Sequence, residues 1–593
     1  MTLALMTKLP SSPLAGDTGC LPIRVADTPG WLHPAPGSRG VVLLGALDYE
    51  ALCTWRPLFS LAERLAAAGC PTLRLDYPGH GESAAPDPGA QTIEAAVAAV
   101  RAGIDFLKAR AGVTEILVMG LRFGALVAAL AAQGRPDIAG LALLAPPASG
   151  RAYLRSLTVQ AHLLAEGRAS ESAEGELDIA GFRLSAASQA AIKAAKLPAE
   201  YGVQRLLVLD PGLEAEGRSA TTAPDGRLVE RLPFAGYGQL MQNPTLALAP
   251  AAFDDVVAWA STGRPSGHGW PVQAEPVLLN GAAWQEEVVR FGEAGQLAGT
   301  FCRPHQTRRD APAALIVGSG RNPRAGWAGS AVRLARALAA EGIASLRYDT
   351  RGIGDSAAAP HGVEPLYSTL ALEDAGEAVA LLEARGLDRI LIVGPCSGAW
   401  TAFHAALANP RIVGLVAVNL QRFIWTPGES LTVAMRQSVR PSAFYGRQLL
   451  TTATWKRLMA GEIDLPAIAA GLTRRWIGRP LARLGQALAV GLGLNNRATR
   501  VRRWMDKLEA RGVRILFIDS EGDPSLAERA YYFGAAPGRL ARHRNVRELL
   551  IADADHDLTS HRARTEADAA IRALAAALCR PMNGVTDAAS TRH

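Results

Sequence analysis

The chain has 593 residues, 49% of them hydrophobic and 20% charged, with a formal net charge of +7. These are globular proportions that exclude wholesale disorder, collagen and coiled coil, and the length allows two large or three to four ordinary domains. The six cysteines (Cys20, Cys53, Cys70, Cys302, Cys396, Cys579) show no CxxC or CxH spacing, and each apolar run is broken by Gly, Pro or Arg before the ~20 residues a membrane helix needs. The opening MTLALMTKLPSSPLAG lacks the basic-then-apolar order of a secretory signal, so a cytoplasmic protein without disulfides, metal or cofactor is expected.

Taken in order, the chain reads strand, helix, strand, DxxGxGxS turn, long helix, strand, GxxxG turn, helix, and then reads so again. LAERLAAAGCPTLRLDYPGHGES, ending at Ser83, matches LARALAAEGIASLRYDTRGIGDS, ending at Ser356, with an offset of 273. The strand VVLLG ending at Gly45 pairs with ALIVG ending at Gly318 at the same offset, and EILVMGLRFGA matches RILIVGPCSGA, with Gly120 and Gly394 offset by 274. A period this long predicts a duplicated domain, and the alternation of Val/Ile/Leu strands with helices predicts an α/β fold with mostly parallel sheets covered on both faces. The expected domains are 15–265 and 278–580, joined by a linker at 266–277 that overlaps the Gly/Pro-rich stretch Gly263–Pro276. EEVVRFG and LAGTFCRP read as antiparallel strands opening the second sheet. A helical cap is expected at about 421–513, and the polar tail 581–593 is expected to be disordered.

Each copy places Gly-x-X-x-Gly between an apolar strand and a helix: Gly120-Leu121-Arg122-Phe123-Gly124 in the first, Gly394-Pro395-Cys396-Ser397-Gly398 in the second. A nucleophile at the apex of such a bend needs small neighbours two positions away on each side, and the N–H that follows it is aimed at an oxyanion. DYPGHGES and DTRGIGDS are read as turns that stabilise the fold. GSGRNPRAG lacks the third glycine of a phosphate-cradling GxGxxG.

On these motifs both halves resemble the α/β-hydrolase fold, over nearly the whole chain. The second half is similar to bacterial hydrolases carrying a GxCSGA turn, a group that includes proteins linked to exopolysaccharide or exosortase gene clusters. Dienelactone hydrolases resemble it too, in using cysteine at this position. The resemblance implies a triad in the order nucleophile, acid, histidine: Cys396, then Asp523 in VRILFIDSEGDPS, then His556 in RELLIADADHDLTSH. Asp519 and Glu521 compete for the acid, and His561 is the alternative histidine. The oxyanion hole is expected from the N–H groups of Ser397 and of Ser319 or Gly320.

The first half reads as chemically silent. Arg122 stands where the nucleophile belongs, Gln239 aligns with His556, and a surviving acid, Glu214 or Asp210, would have nothing to orient. Arg122 on the floor of an old cleft is a candidate to bind a carboxylate or phosphate. The expected activity is hydrolysis of an ester or thioester, with acyl transfer at the same site or a non-catalytic scaffold as alternatives. Gln421–Val513 holds sixteen Arg and Lys against five Asp and Glu, an excess that suits an anionic or carrier-linked acyl substrate and would permit weak membrane-surface contact. Its aromatic residues form no stacking platform, so nucleic acid is not an expected partner.

Overall fold

The computed structural model describes residues 20–25, 28–83, 93–165, 175–198, 201–214, 217–224, 226–242, 244, 249–263, 272, 275–426, 497–534 and 539–579. Most of the cap, most of the linker and the tail lie outside these. The chain separates into two compact units, one of residues up to 307 with 321–365 and 377–385, the other of 308–320, 366–376 and the residues from 386 onward.

The first unit holds a complete nine-stranded sheet. In chain order its strands are β1 (Leu21–Val25), β2 (Thr28–His33), β3 (Arg39–Leu44), β4 (Thr72–Leu75), β5 (Glu115–Leu121) and β6 (Ile138–Leu144). A hairpin of β7 (Leu177–Ile179) and β8 (Phe182–Leu184) intervenes before β9 (Arg205–Asp210), β10 (Ser219–Thr222) and β11 (Leu228–Pro233). The spatial order is β1-β2-β4-β3-β5-β6-β9-β11-β10, antiparallel at both edges and parallel from β4 to β11. The central strands are buried on both faces, which is why they read as unbroken apolar runs without a period of two.

A second nine-stranded sheet is formed by the remaining strands. Its antiparallel run is β12 (Val277–Asn280), β13 (Trp284–Phe291), β14 (Leu297–Pro304) and β16 (Ser345–Tyr348). Its parallel run is β15 (Ala313–Ile316), β17 (Ile390–Pro395), β18 (Ile412–Val418), β19 (Arg514–Ser520) and β20 (Val546–Ile551). EEVVRFG and LAGTFCRP are the antiparallel β13 and β14, as the sequence predicts. With β10 and β12 set aside, the two sheets have the same strand order. The protein is thus an α/β protein with two mostly parallel sheets flanked by helices.

The DxxGxGxS turns have a steric basis. Gly81 and Gly354 sit at φ +57° and +53°, and a Cβ on either would fall 2.2 Å from the carboxyl of the motif's own aspartate, Asp76 or Asp349. Asp76 accepts the Glu82 N–H at 2.8 Å, and Asp349 accepts the Asp355 N–H at 3.0 Å. Glycine at that position lets the chain wrap tightly around a buried carboxylate.

Candidate active site

Cys396 follows β17 and caps the helix Ser397–Ala408 at φ 53°, ψ −119°, a conformation that costs a residue with a Cβ strain. The two glycines make the bend achievable. A Cβ on Gly394 would lie 2.1 Å from the Gly398 carbonyl oxygen, and one on Gly398 would lie 2.3 Å from that of Gly318. Of the six cysteines Cys396 alone is partly exposed; the other five are buried.

Two loops of the same unit come together beside it. Asp523 caps the helix Pro524–Phe533 through a 2.8 Å bond from the Ser525 N–H to Oδ1, which leaves Oδ2 to accept from His556 Nδ1 at 2.7 Å. The Asp523 side chain is 2% exposed and that of His556 28%. Burial would depress the His556 imidazole, yet nearby Cys396 and the Asp523 hydrogen bond together hold its pKa well above the usual histidine value. Burial likewise works against the Asp523 carboxylate, but the His556 hydrogen bond and charge outweigh it and keep its pKa below the ordinary value.

The competing residues are placed elsewhere. Asp519 is taken up by Arg529 and by Ser525 Oγ, the latter at 2.6 Å. Glu521 is exposed and accepts the Asp553 N–H at 3.2 Å. His561 is exposed at the first turn of the helix His561–Leu578. Of the oxyanion candidates, the Gly320 N–H donates to Ser397 Oγ at 2.9 Å, so it is directed to that hydroxyl.

Three neighbours carry no motif and are absent from the sequence reading. Gln421 lays its amide along the His556 ring, 3.1 Å from Nδ1 and 3.4 Å from Nε2. Asn419 Nδ2 donates to the His556 carbonyl at 2.7 Å, and its Oδ1 accepts the Ser520 N–H at 2.8 Å, tying the histidine loop to the end of β19. Burial, reinforced by nearby Cys396, pushes the Tyr367 phenol well above the usual tyrosine value. Its ring stacks on Trp425 at 4.5 Å and meets Trp400 edge-on at 5.8 Å. Of the basic cap, only 421–426 and 497–513 are among the described residues, so the charge excess of 427–496 lies outside them.

In the first unit Arg122 takes the same backbone form as Cys396, φ 56° and ψ −110°. Its cation is neutralised internally: Nε and Nη2 donate to Glu50 Oε1 at 3.1 and 3.0 Å, and Nη2 donates to Ser156 Oγ at 2.8 Å. The Tyr153 hydroxyl donates to Glu50 Oε2 at 3.0 Å, and its ring lies 5.2 Å from the guanidinium. The expectation that Arg122 awaits an anionic ligand is therefore corrected, because Glu50 already occupies that role. Gln239 lies exposed on the helix Tyr237–Gln242, and Glu214 lies exposed in the loop after β9. Asp210 Oδ1 accepts the Gly212 N–H at 2.8 Å, so no acid–base pair is assembled from these residues. Among the described residues no cluster of His, Cys, Asp and Glu forms a metal site, and no helix is long and apolar enough to cross a membrane.

The serine aminopeptidase S33 family pattern matches residues 56–181, in the half that carries Arg122. No curated protein matches the sequence. Among solved structures the chain is similar to the proline iminopeptidase of Mycobacterium smegmatis, 17% identical over 50% of this chain and 98% of that one, with a TM-score of 0.31. Est1E of Butyrivibrio proteoclasticus is 18% identical over 41% and 96%, with a TM-score of 0.28. Alpha/beta hydrolase domain-containing protein 10 from mouse is 15% identical over 51% and 100%, with a TM-score of 0.27.

Proposed function

We propose that the chain is a duplicated α/β hydrolase in which the second copy cleaves an ester or thioester and the first has lost the chemistry. The observation that carries this is the 2.7 Å pairing of His556 Nδ1 with Asp523, on an imidazole whose charge also responds to nearby Cys396. With Nδ1–H held by the carboxylate, Nε2 is the nitrogen left to take a proton from the Cys396 sulfur.

The chemistry follows. The Cys396 sulfur attacks the carbonyl carbon, forming a C–S bond while the carbonyl electron pair moves onto oxygen, which accepts from the Ser397 and Ser319 N–H groups. Collapse breaks the bond to the leaving alkoxide or thiolate, which takes the His556 proton. Water then gives a proton to His556 and attacks the acyl-cysteine, releasing a carboxylic acid and the thiolate. A thiolate exchanges readily with a thioester or ester leaving group, whereas an amine needs stronger protonation, so esters and thioesters are preferred to peptides. The cationic excess of Gln421–Val513 favours an anionic or carrier-linked acyl group. Strain at the apex, closure of the two glycines around it and partial exposure of this one cysteine all support a nucleophile over an inert buried thiol. The test is hydrolysis of p-nitrophenyl and thioester substrates by the intact chain. Cys396→Ala and His556→Ala should each abolish it, and Arg122→Met should leave it within about twofold.

A further inference from the structure

Arg74 and Arg347 stand 273 residues apart at the same position of the repeated segment, as do Asp76 and Asp349, and Glu82 and Asp355. In the structure the partners are exchanged. Arg74 Nη2 donates to Asp355 Oδ1 at 2.6 Å, and Arg347 Nε donates to Glu82 Oε1 at 2.9 Å. The turn backbones are also held from the opposite half, although by arginines that do not correspond in the repeat: the counterpart of Arg56 is Gly329 and that of Arg336 is Glu63. Arg56, on the helix Asp48–Ala67, donates to the Gly354 and Ser356 carbonyls at 3.1 and 2.8 Å. Arg336, on the helix Ser330–Ala340, donates to the Glu82 and Ser83 carbonyls, both at 3.1 Å. Each DxxGxGxS turn is thus gripped by a strand arginine and a helix arginine of the opposite half, all within the first compact unit.

The groups are sealed from water. Side-chain exposure is 0% for Asp355, 1% for Arg347, 4% for Glu82 and 10% for Arg74. Trp31 and Phe59 from the first half pack beside them with Val277, Val288 and Ala298 from the second. Arg324 has alanine at its counterpart, residue 51, and departs from the symmetry by joining Glu82 to Asp349 and Asp355.

Reciprocal contacts, in which residue i of one copy meets residue j of the other and j meets i, are the signature of a twofold interface between identical subunits. We propose that the two halves bind each other through these corresponding surfaces, as the subunits of a homodimer do, and that the first half is a built-in subunit of the second. A buried ion whose partner is withdrawn is strongly destabilised. In the second half Arg324 still holds Asp355 and Glu286 still holds Arg347, but in the first half Arg74 and Glu82 have their ion-pair partners only across this face, so separation strands the charges of the first half. The inference rests on the duplication proposed above and is independent of the chemistry at Cys396.

The test uses the full chain with a protease site inserted between Ser266 and Gly269 and cut after folding. The cleaved protein should stay together on size-exclusion chromatography at nanomolar concentration. Arg74→Met and Arg347→Met should each raise the dissociation constant of the cut halves by about 100-fold or more, and by comparable factors. Arg74→Lys and Arg347→Lys, which keep the charge and lose the fork, should give smaller increases and serve if the methionine variants fail to fold. Separation of the unsubstituted halves would overturn the interface. Retention with only one of the two arginines mattering would overturn the correspondence of the surfaces, and hydrolysis of substrate enters neither readout.

Discussion

Replacing Glu50 isolates the cost of turning a nucleophile position into a structural one. Its side chain is 5% exposed and that of Arg122 14%, and Glu50 accepts both the guanidinium and the Tyr153 hydroxyl. Breaking a buried ion pair from one side costs ~3–5 kcal/mol because the surviving charge has no partner. Arg122 would retain Ser156 Oγ and the Tyr153 ring, so Glu50→Leu should fall at the lower end, about 3 kcal/mol. The reverse change is milder. Burial already pushes the Glu50 pKa up, so in Arg122→Met the carboxyl can take a proton and keep Tyr153, at a cost of about 1–2 kcal/mol at pH 7 and less at pH 5. The double variant Glu50→Leu/Arg122→Met removes both charges but leaves the buried Tyr153 hydroxyl without its acceptor, so it should lie about 1–3 kcal/mol below the parent, less than the sum of the singles. Urea denaturation of the four proteins at matched pH measures each term. A Glu50→Leu penalty below about 1 kcal/mol, or a double variant as unstable as the sum of the singles, would refute the reasoning.

Other consequences are equally specific. Gly398→Ala places a methyl 2.3 Å from the Gly318 carbonyl oxygen, so the bend must open, and activity should fall by at least about 100-fold while the far-ultraviolet circular dichroism stays near the parent's. Asp523→Asn should lower kcat by about 10³–10⁴-fold, because an amide cannot hold the imidazolium in its orientation, whereas Asp519→Asn should act mainly on stability through Arg529. Burial raises the Asp76 pKa to about 7 from the ordinary 3.8. A carboxyl whose folded value is raised contributes stability in full below pH 4 and loses it as the pH rises through 7. Asp76→Asn should therefore flatten that part of the pH–stability curve, an effect of up to about 4 kcal/mol in chemical denaturation.

The sequence carries most of the fold because its signals are local. Buried parallel strands need unbroken Val/Ile/Leu runs, and the tight turns at Gly81, Gly354, Gly394 and Gly398 admit no Cβ, so these elements recur at fixed spacing. Cys396, Asp523 and His556 each follow a strand, which is the local signal on which the sequence reading rests, and the structure pairs the last two. Asp523 is distinguished from Asp519 only by which neighbours it meets, since Arg529 and Ser525 consume the latter. Gln421, Tyr367 and Glu50 left no signal: each is a single polar or aromatic residue brought in from a distant segment by packing. The anion-site reading of Arg122 failed for the same reason, because its counter-charge comes from a helix 72 residues earlier. The exchanged ion pairs lie further still from sequence reading, since a repeat gives corresponding residues without telling which copy each will touch.

Mass mapping of an acyl adduct after rapid acid quench, with a thioester or activated ester as substrate, addresses the nucleophile itself. The account predicts the acyl mass on the peptide containing Cys396, absent in Cys396→Ala and present on no other cysteine. Turnover that persists in Cys396→Ala, or an acyl group found on a serine, would contradict it.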